Sequence, residues 1–132
     1  MGLILDSCIF IQAERKNVAI DFNQWASYQH TYISAITVSE LLVGVFRADN
    51  PSRRLKRSAF VETIISKIPT LDFTLKTARI HAELYSHLAK NGNLIGSHDL
   101  IIAATALTYG HALLTTNTQE FSRIPGLVLL TH

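Results

Sequence analysis

The sequence predicts an α/β domain built on a central parallel sheet of four to five strands, with helices on both faces. Three observations carry this reading. Short, near-continuous apolar runs recur along the chain, beginning with Leu3-Ile4-Leu5, and parallel strands buried on both sides read this way. Stretches of helical periodicity alternate with them, which is the pattern of right-handed βαβ units. No internal repeat or low-complexity segment interrupts the 132 residues, so residues 1–132 are expected to form a single domain.

Leu3 to Leu5 forms the first strand, and Ser7 to Glu14 a helical turn or two behind it. Ala19 to Gln29 carries Ile20, Phe22 or Asn23, Trp25 or Ala26, and Tyr28 at helix-like intervals. Tyr32-Ile33-Ser34-Ala35-Ile36, rich in β-branched and aromatic side chains, is the second strand. Thr37 opens a helix through Phe46 with Val38, Leu41, Leu42 and Val45 as its apolar stripe. Asp49-Asn50-Pro51-Ser52 is turn chemistry, and the long helix after it, through Phe60, Ile64, Ile65 and Ile68, stops at Pro69. Thr70 to Phe73 is a brief third strand. Leu75 to Lys90 is helical, with Ala78, Ala82, Leu84, Tyr85, Leu88 and Ala89 expected to face inward and Asn91-Gly92-Asn93 closing it. Ser97 caps a helix through Ile101, Ile102, Ala104, Ala106 and Leu107 to a stop at Tyr109-Gly110. Ala112 to Thr115 and Leu127 to Leu130 complete the sheet.

Composition narrows the function classes. Hydrophobic residues make up 48% and charged residues 17%, a globular balance. The lone Cys8 excludes a disulfide within the chain and fits a reducing compartment. Asp6 breaks the first apolar stretch, no basic leader precedes it, and it occupies the position where myristoylation needs Ser or Thr. No apolar run reaches the ~18 residues of a membrane helix, so a cytoplasmic protein without a membrane partner is expected. Gly92 and Gly96 fit neither the dinucleotide fingerprint nor the phosphate loop, which argues against a nucleotide cofactor. Arg47, Arg53, Arg54, Lys56 and Arg57 crowd a window holding one acid, Asp49, and such a cluster attracts phosphates or is a solvated helix start.

The acids are placed more tellingly. Ligands of open parallel sheets bind outside the carboxyl ends of the strands. Of the ten carboxylates, Asp6, Glu40, Asp99 and Glu120 all fall at helix starts that can share that edge. Each has a capping explanation: Asp6 as an N-cap, Thr37-x-x-Glu40 as a capping box, Asp99 beside the positive end of a helix, and Asn117-x-x-Glu120 as another cap. Capping does not require them to converge. Convergence is costly, because two carboxylates about 4 Å apart repel by roughly 4 kcal/mol at an effective dielectric near 20. A hard cation with oxygen ligands, Mg²⁺ or Mn²⁺, relieves that repulsion. Zinc is disfavoured, since Cys8 is alone and the six histidines lack compact ligand spacing; His81 and His87 read as surface or boundary residues. Carboxylate-held metal mainly serves phosphate chemistry, which points to a phosphodiester substrate.

The stretches LILDSCIF, ITVSELLVG, IGSHDLIIAATAL and LLTTNTQEF, in that order, resemble the PIN-domain nucleases, and among them the VapC toxins of bacterial toxin–antitoxin pairs. The likeness runs from Leu3 to about Leu127. It implies a PIN-like fold and a metal cluster of Asp6, Glu40 and Asp99, with Ser7 orienting Asp6 or a metal-bound water. It also implies a further acid after the fourth strand. Asn117 holds that place here, preceded by Thr115, and Glu120 stands one helical turn on, so either completes the site. The implied activity is Mg²⁺-dependent endoribonucleolytic hydrolysis of structured RNA, either transfer or ribosomal. The implied partners are a VapB-type antitoxin and a second copy of the chain. Arg53, Arg54, Lys56 and Arg57 become an RNA-docking surface or an antitoxin contact. Two other readings compete: a PIN-like module that binds RNA or protein without cutting, and a phosphoryl-transfer domain with Asp6 as nucleophile. The second lacks another acid near Asp6.

Overall fold

Leu3, Ile4 and Leu5 are fully buried because the strand they form, β1 (Leu3–Leu5), is the middle of the sheet. The structure, a computed structural model, describes residues 1–131, without the side chain of Phe22. The other strands are β2 (Thr31–Ser34), β3 (Thr70–Leu71), β4 (Ala112–Thr115) and β5 (Leu129–Thr131). All pairings are parallel, in the order β3-β2-β1-β4-β5, with Ile4 opposite Tyr32 on one side and Leu113 on the other. The chain reverses its direction of winding between β1 and β4, which makes their carboxyl ends the crevice where such sheets bind ligands.

The helices are α1 (Ser7–Lys16), α2 (Ala35–Phe46), α3 (Pro51–Lys67), α4 (Leu75–Lys90), α5 (Ser97–Tyr109) and the single turn α6 (Thr118–Phe121). Alternation along the strands divides the core. Leu3, Leu5, Ile33 and Leu114 pack with Ile9, Phe10, Leu41, Val45, Val61 and Ile64 of α1, α2 and α3. Ile4 and Leu113 pack on the other face with Leu84, Leu88 and the alanine-rich side of α5, closed off by Phe121 and Ile124. Ala103, Ala104 and Ala106 have no exposed surface, so α5 lies close on the sheet. It ends where Gly110 takes a left-handed conformation, φ 68°, as the Tyr109-Gly110 stop implies.

Several expected boundaries and faces are corrected. The second strand ends at Ser34, and Ala35 and Ile36 already belong to α2. Ser34 is the cap: its hydroxyl accepts the Thr37 amide at 3.2 Å and meets the Thr37 hydroxyl at 3.0 Å. Glu40 therefore lies in the second turn and belongs to no capping box. The helix expected over 19–29 is only a 3₁₀ turn, Phe22–Trp25. Asp21 ties down the Asn23 amide and the Gln24 side chain, and local polar bonds of this kind compete with a continuing helix. The Phe22 side chain of that expected stripe lies outside the described residues. The third strand stops at Leu71, the fifth spans Leu129–Thr131, and Gly96 rather than Ser97 is the N-cap of α5. On α4 the buried residues are Thr77, Leu84 and Leu88, while Ala82, Tyr85 and Ala89 face solvent. The leucines set the phase of that helix.

Removing the true cap should cost more than removing the apparent one. Ser34→Ala is expected to lower stability by about 1 kcal/mol. Glu40→Gln, which loses no cap and sheds a charge from a crowded edge, is expected to leave stability unchanged or raise it. Urea unfolding of the two variants beside the parent chain measures both.

Candidate active site

Asp6 follows the last residue of β1, and the next apolar positions belong to α1, so the chain must turn there. The backbone of Asp6 stays extended, its amide continues the ladder to the Leu114 carbonyl at 3.0 Å, and its side chain caps α1. The carboxylate is 5% exposed and fully engaged. One oxygen, Oδ1, accepts the Ser7 amide at 2.8 Å; the other, Oδ2, accepts the Thr115 hydroxyl at 2.7 Å and the Cys8 thiol at 3.4 Å. Burial pushes the Cys8 thiol up from its ordinary range, which keeps it a donor to that acid. Capping and aiming are the same geometry here, since the turn that caps α1 points Asp6 at the mouth of β4.

The opposite wall comes from α5 and α6. Asp99 stands in the first turn of α5 and Glu120 in α6. Between them Asn117 donates its amide hydrogens to both, at 2.9 Å to Asp99 Oδ2 and 3.2 Å to Glu120 Oε2. The backbone N–H of Asn117 donates to the Thr115 hydroxyl at 3.0 Å, so Asn117 links the Thr115–Asp6 pair on one side to the far acids on the other. Gly96 borders this space: a Cβ there would sit 3.6 Å from Asp99 Oδ2 and 3.9 Å from Glu120 Oε2, and a longer side chain would fill the gap between the two acids.

Glu40 reaches in from α2. Its Oε2 lies 3.6 Å from His98 Nδ1 at the start of α5, and its Oε1 is buried without a hydrogen-bond partner. Burial raises the Glu40 carboxyl above its usual range, with His98 and the Ser7 hydroxyl working against the rise and Asp6 adding to it. Burial, the hydrogen bond to Glu120 and repulsion from Asp6, Glu120 and Glu40 push Asp99 from 3.8 to about 7. The same bond with Asp99, aided by Asn117, holds Glu120 below the usual carboxylate range. Asp99 is thus the acid on which the charges of the other three converge.

They are not drawn into a cage. Among the described residues no group of three or more His, Cys, Asp or Glu side chains is gathered closely enough to hold a metal ion. Asp6, Asp99 and Glu120 are instead occupied by hydroxyl, amide and thiol donors. The donor set nonetheless fits a hard divalent cation: it is all oxygen, it contains an orphaned buried oxygen in Glu40, and burial and neighbouring carboxylates hold Asp99 well above its ordinary range.

The basic cluster fares differently. Arg57 donates to Glu14 and to the Gly44 carbonyl, both at 2.9 Å, and fastens α3 to α1 and α2. Arg53 grips Asp49 with both contacts at 3.0 Å, and Arg54 reaches the Ala48 carbonyl at 3.4 Å. Arg53, Lys56 and Arg57 line a groove of about 390 Å³ with Phe60 and Val18, away from the acids. A second groove, about 310 Å³, does reach the site, lined by Glu40, Arg15, Arg47 and Arg57 over Ile11 and Val43. Arg15, Cys8 and His98 also stand at this edge, where the sequence assigns them no part. Only the helical spacing of Arg15 from Ser7 and Ile11, and the adjacency of His98 to Asp99, hinted at them.

Comparison with known proteins agrees with this geometry. The family model for the PIN domain matches residues 3–127. The chain is 44% identical over 131 residues to Ribonuclease VapC1 of Rickettsia felis, covering 99% of this chain and 96% of that one. It is 34% identical over 123 residues to the tRNA(fMet)-specific endonuclease VapC of Salmonella typhimurium, covering 92% and 89%. Among solved structures, VapBC2 of Rickettsia felis bound to a DNA fragment from its promoter superposes with a TM-score of 0.89. Its identity is 29%, with 100% of this chain and 99% of that chain covered.

The raised Asp99 has a measurable consequence. Between about pH 4 and 7 the folded chain holds a proton on Asp99 that the unfolded chain releases, so cation-free stability should fall as pH rises through this window. Asp99→Asn removes the effect. The advantage of Asp99→Asn over the parent chain in urea midpoint is expected to grow from pH 4 to about 7 and then level off. Stabilisation by added Mn²⁺ should grow over the same range in the parent alone.

Proposed function

The chain belongs to the PIN-domain family, and on that premise we propose that it is a VapC-type ribonuclease toxin that hydrolyses phosphodiester bonds in structured RNA. A VapB-type antitoxin is its partner, and the toxin acts as a homodimer in the cytoplasm. No helix among the described residues is long and apolar enough to cross a membrane. Transfer RNA is the first substrate to try, because the Salmonella relative is named for cleaving one. One observation supports the catalytic reading above the others. Asp6 at the end of β1, Glu40 of α2, Asp99 of α5 and Glu120 of α6 share one edge of the sheet, where burial and neighbouring carboxylates push Glu40 and Asp99 up, an arrangement that a binding module has no reason to bear.

Asp6, Glu40 and Asp99 would hold Mg²⁺, or Mn²⁺ in its place. When bound, such a cation makes water a competent nucleophile near neutral pH and offsets charge on the phosphoryl oxygens. The residues of the chain supply position. Ser7 and Thr115 lock Asp6 so that it cannot swing away from the edge, and Asn117 fixes Asp99 relative to Glu120. Glu40 brings an oxygen free of protein partners. Glu120, kept ionised by its neighbours, holds a negative charge at the mouth of the site. Arg15 and Arg47, on the groove that opens beside Glu40, steer the RNA backbone toward the acids; Arg57 holds that wall together.

Purified protein is expected to cut transfer RNA within total cellular RNA in Mg²⁺. EDTA, Asp6→Asn and Asp99→Asn should each reduce cleavage to background. Cleavage that survives the chelator or either substitution refutes the mechanism. A parent chain that binds RNA without cutting it establishes the non-catalytic module instead.

A further inference from the structure

A histidine in the first turn of α5 has no role in the mechanism above, yet it is the side chain that meets the least satisfied acid of the site. His98 is 55% exposed, but the Glu40 side chain it approaches is only 27% exposed, with Oε2 at 3.6 Å and Oε1 buried without a partner. Asp6 is fixed by Ser7, Thr115 and Cys8, and Asp99 and Glu120 by Asn117. Glu40 has a longer side chain than Asp6 or Asp99, and besides His98 only the Ser7 hydroxyl acts on it as a donor. His98 is carried on the same turn as Asp99, so whatever it holds is placed relative to that acid by the backbone of α5.

We propose that His98 is a positioning residue: it holds the Glu40 carboxylate by Oε2 and so presents Oε1 to the divalent cation. The inference rests on the nuclease reading for its purpose, but it concerns cation affinity rather than cleavage. An imidazole suits the task. It has few rotatable bonds, its N–H donor is available in the neutral form, and the outer partners that orient metal ligands typically contribute a factor of 10–100 in metal affinity. The bland alternative is an exposed histidine that merely lies near an acid. That alternative gives no reason for Mn²⁺ binding to depend on it.

The test measures Mn²⁺ binding to the full chain by calorimetry and electron paramagnetic resonance, beside kcat and KM on RNA. His98→Ala should weaken Mn²⁺ binding by about tenfold while leaving the melting temperature of the cation-free protein and the KM for RNA unchanged. Saturating Mn²⁺ should restore kcat. His98→Asn, which keeps a donor near the position of Nδ1, should recover most of the affinity. In a Glu40→Gln background, His98→Ala should weaken binding no further.

Unchanged Mn²⁺ affinity in His98→Ala overturns the proposal. So does a loss that adds in full to that of Glu40→Gln, or a raised KM for RNA with normal Mn²⁺ binding, which would make His98 an RNA contact. A parent chain that binds Mn²⁺ and cuts RNA while His98→Ala does both equally well sinks only this inference. A parent chain that does neither sinks the nuclease reading with it.

Discussion

Like-charge repulsion at the carboxyl edge of the sheet is the constraint around which this structure is arranged. Two carboxylates about 4 Å apart in a half-buried crevice oppose each other by roughly 4 kcal/mol, a large fraction of the ~5–15 kcal/mol that keeps a domain folded. The chain does not avoid the conflict by exposing the acids. It spreads them and gives them donors: the Ser7 amide and Thr115 hydroxyl to Asp6, Asn117 to Asp99 and Glu120, His98 beside Glu40. Burial, the hydrogen bond with Glu120 and the repulsion these donors leave together push Asp99 up to about 7. A cation would discharge the rest.

Topology makes this edge possible. Because β1 and β4 are neighbours in the sheet but far apart in sequence, their carboxyl ends bring Asp6 and Thr115 together across 109 residues. The two core halves then fix the walls independently. Ile9, Phe10 and Leu41 hold α1 and α2, which carry Ser7 and Glu40; Leu100, Ile102 and the alanines hold α5, which carries Asp99 and His98. The site spans the seam between the halves, so a side chain linking α2 to α5 influences geometry that neither core half controls.

The acids were legible in the sequence because their signal is local. An apolar run that ends in Asp6, or an acid just inside a helix start, can be read without knowing the partner. Most of the sheet was legible for the same reason. The failures share the opposite cause. Thr37-x-x-Glu40 matched a capping box, yet Ser34-x-x-Thr37 three residues earlier made the cap, and only the end of β2 decides between them. On α4, Ala82, Tyr85 and Ala89 are apolar enough to suggest an inner face, but Leu84 and Leu88 fit the groove and turn the others outward. The pairing of Arg57 with Glu14 could not be read either, because the two lie 43 residues apart in sequence.

Asn117 shows why position within the edge matters more than residue type. From sequence, an amide where the family resemblance implies an acid left two options, with either Asn117 or Glu120 completing the site. In the structure the two have different parts. A carboxylate at 117 would be a further negative group between Asp99 and Glu120, adding repulsion where Asp99 is already reluctant to ionise. The amide instead donates to both and converts the most crowded point of the edge into a bridge. Glu120, one helical turn on and near the rim, retains the charge that Asn117 gives up. The substitution at 117 is therefore compatible with a catalytic edge: it lowers the charge at the centre of the far wall and leaves an ionised carboxylate at its mouth.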